Sequence, residues 1–191
     1  EYLLMLGANP YASNGSLATA PDWPGRLEGI RARGGKIVVV DPRRSRTAES
    51  ADEWLAIRPG ADALLLAAMI ATVFESGRAE PGEHLTGHLN GLEDVHQALA
   101  EFTPERVEKQ VGIDAATIRR IANELCDAKR AAVYGRIGTT TVSFGTTASW
   151  LVDVLNVVTG NLDKEGGAMF PLPVAASPTT RGKKGKSSRA E

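Results

Sequence analysis

The feature that most constrains this chain is a pair of short, nearly uninterrupted apolar runs, Leu3-Leu4-Met5-Leu6 and Lys36-Ile37-Val38-Val39-Val40, each closed by turn residues. A strand with one wet face alternates apolar and polar side chains. A run without alternation has to be covered on both faces, which is the situation of a parallel strand between helical layers. A helix is expected between the two runs, with Pro24 near its first turn, Leu27 and Ile30 on one face, and Gly34-Gly35 as its stop. The result is a βαβ unit whose first connection, Asn9 to Trp23, is long for its kind.

A third strand is expected over Glu53 to Ile57, and a helix from Ala63 to about Glu75 that Asp62 is placed to cap. Asn90 with Glu93 reads as a capping box opening a helix to about Glu101, and Thr103-Pro104 opens another. Asp114 caps an amphipathic helix with Ile118, Ile121, Ala122 and Leu125 on one stripe, and Cys126 beside it reads as a small packed hydrophobe. Ala131 to Tyr134 is a fourth strand, followed by the turn Gly135-Arg136-Ile137-Gly138 and a helix from Thr146 or Thr147 to Gly160. The fold class is therefore α/β: a parallel sheet flanked by helices, of the Rossmann-like dinucleotide-binding type, with a helical middle.

Composition excludes several classes. A single cysteine in 191 residues allows neither an internal disulfide nor a Cys-rich metal site. The apolar runs Ala63 to Ala71 and Val152 to Val158 fall short of the ~20 residues that cross a bilayer. Residues 1–180 hold 17 basic against 22 acidic side chains, which argues against a nucleic-acid surface. The basic, Gly/Ser-rich stretch 177–191 is read as a flexible tail or linker stub, leaving 1–176 as the α/β domain. The opening at Glu1, inside an apolar run, suggests a piece of a longer protein. Any targeting segment would precede it, so the cytoplasm is only the default compartment.

In open parallel sheets ligands bind outside the carboxyl ends of the strands, so the residues following each strand are read together. After the first come Gly7-Ala8-Asn9-Pro10, where glycine permits close backbone approach and the asparagine offers donors and an acceptor. After the second comes Asp41-Pro42-Arg43, a carboxylate for ribose hydroxyls beside a cation for phosphate. After the third comes Gly60-Ala61-Asp62, whose carboxylate suits the donor edge of a guanine as well as it suits a helix cap. His84, His88 and His96 lie far in sequence from every strand end and read as surface or packing residues. The G-x-G-x-x-G fingerprint of nicotinamide and flavin sites is missing, which disfavours an ordinary nicotinamide-enzyme module.

In order and spacing these blocks resemble the molybdopterin oxidoreductase family of formate dehydrogenases, nitrate reductases and dimethyl sulfoxide reductase. Gly7-Ala8-Asn9-Pro10 with Ser13 looks like its G-x-N-P segment. Gly34-Gly35-Lys36 through Asp41-Pro42-Arg43 resembles its strand with D-P-R, and Arg58-Pro59-Gly60-Ala61-Asp62 its R-P-G-T-D. Leu151 through Gly160-Asn161-Leu162 and Gly166-Gly167 resemble its L-x-x-L-T-G-N segment and the paired glycines that follow. The resemblance implies a cofactor of molybdenum held by two molybdopterin guanine dinucleotides, with this domain gripping the guanosine diphosphate of one. Gly7, Ala8, Asn9 and Ser13 would then lie along the pyrophosphate, Asp41 and Arg43 by the ribose and phosphates, and Gly60 and Asp62 at the guanine. Ile137, Gly138 and Thr141 would approach the pterin.

The chain departs from the pattern in two places: Ala61 replaces the usual threonine, and Thr141-Val142 stands where many relatives carry Gln-His. The resemblance places the metal ligand, the iron-sulfur cysteines and a further pterin-binding domain outside these residues, so it names no catalytic residue or metal ligand here and implies that the piece alone is inactive. It implies as partners the remaining domains of the parent enzyme, a small redox substrate such as formate, and an electron-transfer partner. The alternative is a cofactor-free scaffold domain like that in the large iron-sulfur subunit of NADH dehydrogenase.

Overall fold

In the computed structural model, which describes residues 1–15 and 20–170, the first apolar run is strand β1 (Tyr2–Leu6), buried along its whole length. A short helix α1 (Pro10–Ser13) follows, then α2 (Trp23–Ala32), which Asp22 caps by accepting from the Gly25 amide. Strand β2 (Lys36–Val40), helix α3 (Arg46–Ser50) and strand β3 (Glu53–Leu55) complete the first half. Next come α4 (Asp62–Glu75), a 3₁₀ turn at Glu83–Leu85, α5 (Leu92–Leu99), α6 (Pro104–Val111) and α7 (Ala115–Asp127). Strand β4 (Ala131–Gly135), α8 (Ile137–Thr140) and α9 (Gly145–Val158) close the described chain.

The four strands are all parallel, in the order β3-β2-β1-β4. The strand order therefore reverses between β1 and β4, and this switch point opens a crevice at the carboxyl ends. Alternation divides the apolar runs between two layers. Leu4, Leu6, Val38 and Val40 meet the layer built around α4, α7 and α9, whereas Leu3, Met5, Ile37 and Val39 meet α2 and α3. Helix α4 lies between the sheet and its companion helices, which is why it is apolar nearly all round, with Leu65, Leu66, Met69 and Ile70 fully buried. No described helix is long and apolar enough to cross a membrane.

The outer edge of β4 is occupied by side chains in place of a strand. Asn156 of α9 accepts from the Val133 amide at 2.9 Å and donates to the Val133 carbonyl at 2.9 Å, and Asn161 accepts from the Ala131 amide at 3.1 Å. At the opposite, amino-terminal end of the sheet an ionic cluster ties α7 to three strands. Lys36 Nζ lies 2.9 Å from Glu53 and 2.8 Å from Glu124, Tyr2 donates to Glu124 at 2.9 Å, and Arg120 bridges the same two carboxylates.

Several local expectations are corrected. Asp62 is the first residue of α4 and caps nothing; Ala61 holds the cap position. The turn at Gly60 (φ +83), closed by the Ala61 amide on the Arg58 carbonyl at 3.1 Å, starts the helix one residue early, so the Asp62 side chain cannot reach forward. The Asn90–Glu93 capping box does not form, because Gly91 (φ +77) takes the cap position and α5 runs only from Leu92 to Leu99. Strand β3 stops at Leu55, since beyond it the chain turns to α6, with the Arg58 amide on the Val111 carbonyl at 2.8 Å. Helix α9 begins at Gly145 rather than at a threonine, and α3 and α8 were not foreseen. The tail 177–191 lies outside the described residues.

Asn156→Ala would leave the buried amide and carbonyl of Val133 without partners, and we expect a cost on the order of 2–4 kcal/mol in chemical denaturation. The cluster predicts an acid dependence. Burial pushes the Glu53 and Glu124 carboxyls up, but hydrogen bonds and charge from Lys36 and Arg120 outweigh it, so both lie below the ordinary value of 4.5. A carboxylate depressed on folding stabilises above its unfolded pKa, and that contribution is lost as the pH falls through the folded value. As the pH falls from the ordinary carboxylate value of 4.5 to the folded value, the thermal midpoint of Glu53→Gln should therefore fall less steeply than that of the parent.

Candidate functional site

Four strand tips and the loops they feed build the site. At the end of β1, Gly7 adopts φ +57, and a Cβ there would sit 2.7 Å from Gly138 Cα. The same added atom on Gly138 would lie 2.7 Å from Gly7 Cα, and the Gly138 amide donates to the Gly7 carbonyl at 3.1 Å. The two glycines let the tips of β1 and β4 touch backbone to backbone. Neither position accepts a side chain without the two tips moving apart.

Asn9 is oriented by α3: its Oδ1 accepts from Thr47 Oγ1 at 2.7 Å, and that hydroxyl oxygen accepts from the Tyr11 amide at 3.2 Å. Asn9 Nδ2 has no acceptor among the described residues, nor have the amides of Ala8 and Asn9. Ser13 lies on the same wall, its hydroxyl donating locally to the Asn9 carbonyl at 3.2 Å. Gly7, Ala8, Asn9, Ser13 and Ile137 line one cavity of about 320 Å³, together with Trp23, Tyr134 and Arg136. Trp23 and Tyr134 stack with centroids 5.7 Å apart and form its aromatic wall.

At the end of β2, Asp41 Oδ1 accepts from the Arg43 amide at 2.8 Å, and its carbonyl accepts from Trp54 Nε1 at 2.9 Å. Arg43 itself projects into solvent. Beyond β3, Gly60 has open space where a Cβ would be. Asp62 is only 5% exposed and accepts from no other residue among those described. Burial pushes its carboxyl up, and the nearby charge of Asp41 adds to this against a bond from its own amide. Asp41 at the β2 tip and Asp62 beyond β3 are thus near enough for the charge of one to act on the other, but neither lines the β1–β4 cavity. Thr141 does not line the β1–β4 cavity; its hydroxyl turns back onto the Ile137 carbonyl at 2.9 Å.

Sequence reasoning missed Thr47, Trp23, Tyr134 and Arg136. Thr47 carries no signal, because no pattern in the sequence marks the short helix Arg46–Ser50, whereas the aromatic residue at the end of an overlong connection is a legible marker. The histidines sit apart from the tips: His84 Nε2 lies 2.8 Å from the Leu162 carbonyl, and His96 stacks on Phe74. Cys126 is half-buried, and burial pushes its thiol up, away from the reactive thiolate.

Over 172 residues the chain is 30% identical to the F420-dependent formate dehydrogenase subunit alpha of Methanocaldococcus jannaschii, covering 90% of this chain and 24% of that protein. It is 32% identical to the arsenate respiratory reductase molybdopterin-containing subunit ArrA of a Shewanella species, covering 90% of this chain and 22% of that one. Among solved structures, acetylene hydratase from Pelobacter acetylenicus superposes with a TM-score of 0.70 at 26% identity, over 83% of this chain and 21% of that one. The chain thus spans about a quarter or less of the length of these relatives. The family model for molybdopterin oxidoreductases matches residues 1–189, and the chain belongs to the molybdopterin oxidoreductase family.

Proposed function

We propose that this chain is the nucleotide-gripping part of a formate dehydrogenase-like, molybdopterin-dependent oxidoreductase, and that it holds the guanosine diphosphate end of a molybdopterin guanine dinucleotide. When bound, that group supplies two-electron redox chemistry through its metal. The chain's own task is to bind and orient it. The proposed partners are the remaining domains of the parent enzyme, with their iron-sulfur cluster, a small redox substrate and an electron-transfer partner.

The residues fit such a group. Any side chain at Gly7 or Gly138 would push the β1 and β4 tips apart, and Ala8 and Asn9, whose amides have no acceptor among the described residues, line the cavity beside them, as suits a diphosphate. In this reading Ser13 lies along the same phosphates, Asp41 accepts from ribose hydroxyls, and exposed Arg43 screens phosphate charge. Gly60 leaves room for the base, while Ile137, Gly138 and Thr141 lie toward the pterin. Residues 1–176 form the binding unit.

The observation that carries the proposal is Asp62, a buried carboxylate with no donor among the described residues but its own amide. Leaving such a group unpaired is costly, and two parallel donors on a guanine edge relieve it, whereas adenine offers an acceptor at the matching position. A scaffold domain has no use for a carboxylate held in this way.

Titration calorimetry of the chain with GDP, with ADP as control, tests the reading. Guanine-selective binding is expected, and equal affinity for the two, or none for either, would sink it. Asp62→Asn should weaken GDP at least about tenfold, a loss of ~1.4 kcal/mol, and leave ADP unchanged. Because burial raises the Asp62 carboxyl, its ionised form destabilises the fold above that pKa, and the penalty vanishes as the pH falls and the group takes up a proton. The variant should therefore melt higher than the parent at neutral pH, with the difference shrinking toward acid.

A further inference from the structure

Arg136 stands out among the described arginines by what it lacks. Four of them are half-buried: Arg31, Arg78, Arg119 and Arg136. The first three each reach a carboxylate, Asp52 at 3.0 Å, Asp127 at 2.6 Å, and Glu75 and Glu105 at 2.6 and 2.8 Å. The Arg136 guanidinium has no acceptor among the described residues, yet it lines the cavity at the β1–β4 switch point. A cation drawn partly out of water without a counterion is unfavourable unless an anion arrives from outside.

The surroundings have one sign. Among the described residues no aspartate or glutamate lines this cavity, and the amide of Ile137 joins those of Ala8 and Asn9, and Asn9 Nδ2, as donors without acceptors. Trp23 Nε1 is also buried without an acceptor among them. The charge of Arg136 also acts on the aromatic wall: burial pushes the Tyr134 phenol up, and that charge pulls back against the rise. A cavity of about 320 Å³ with donors on its floor and one flank and an unpaired cation at its lip is suited to a compact, multiply charged oxyanion.

We infer that Arg136 is a further ligand-binding residue of this site, its guanidinium closing on the diphosphate group that lies over Gly7 and Ala8, with the stacked rings of Trp23 and Tyr134 keeping that contact dry. This deepens the guanosine diphosphate reading and rests on it for the identity of the whole ligand, but not for the chemistry of the anion. It assigns the β4 tip a charge-neutralising role, on the opposite side of β1 from Asp41 and Arg43. Removing the charge costs affinity for anything carrying the diphosphate, whatever base is attached. Folding is spared, because the side chain bonds nothing within the described protein.

The test is calorimetry of the full chain with inorganic pyrophosphate, GDP and guanosine, on the parent, Arg136→Gln, Arg136→Lys and Asp62→Asn. Arg136→Gln should weaken pyrophosphate and GDP by about tenfold or more, leave guanosine and the thermal midpoint unchanged, and be partly rescued by Arg136→Lys. Asp62→Asn should weaken GDP and guanosine but not pyrophosphate. Pyrophosphate bound as tightly by Arg136→Gln as by the parent, or not bound by the parent at all, would overturn the inference. If the parent binds GDP and ADP alike while Arg136→Gln loses pyrophosphate, the guanine reading falls and the role of Arg136 stands.

Discussion

Burial of the sheet on both faces is the constraint from which the rest follows. With Leu4, Val38 and their neighbours sealed by α4, α7 and α9 on one side, and Met5, Ile37 and Val39 by α2 and α3 on the other, the strands have no face on which to present chemistry. Polar groups can collect only at the ends. The amino-terminal end is taken up by the Tyr2–Lys36–Glu53–Arg120–Glu124 cluster, where each charge meets its opposite. At the carboxyl end Asp62 and Arg136 have no partner of opposite charge among the described residues. This asymmetry separates structural from ligand-directed polarity within one small sheet.

The carboxyl end is itself divided by charge. Near the tips of β2 and β3 the charge of Asp41 adds to burial in disfavouring ionisation of Asp62, an arrangement that rewards a ligand presenting donors. Around β1 and β4 the free groups are amides and the Arg136 guanidinium, which rewards negative charge. A nucleotide carries both characters in one molecule, a donor-bearing base and ribose at one end and phosphates at the other. In the proposed reading its orientation across the strand tips is therefore prescribed before any detailed fit.

Much of this was legible in the residues. The unalternating runs specified a parallel sheet, and the residues after each strand named most of the tip groups, because strand burial and tip location are consequences of local pattern. Helix ends were read less well. Asp62 and the Asn90–Glu93 pair carry the right side chains for caps, but left-handed Gly60 and Gly91 set the boundaries instead, a competition decided by backbone turns that composition does not encode. Thr47 and Arg136 were missed because their importance comes from what lies across from them in space. Neither the Asn9–Thr47 bond nor the missing counterion of Arg136 has a counterpart in sequence spacing.

The two asparagines against β4 have a wider consequence. A sheet rim with vacant backbone donors and acceptors recruits whatever extended chain comes near, including another copy of itself. By filling those vacancies with carboxamides from its own α9 and the loop beyond, the molecule closes this border to recruitment. Any neighbour that joins it on that side has to do so through side-chain surfaces, with the sheet kept at its present width.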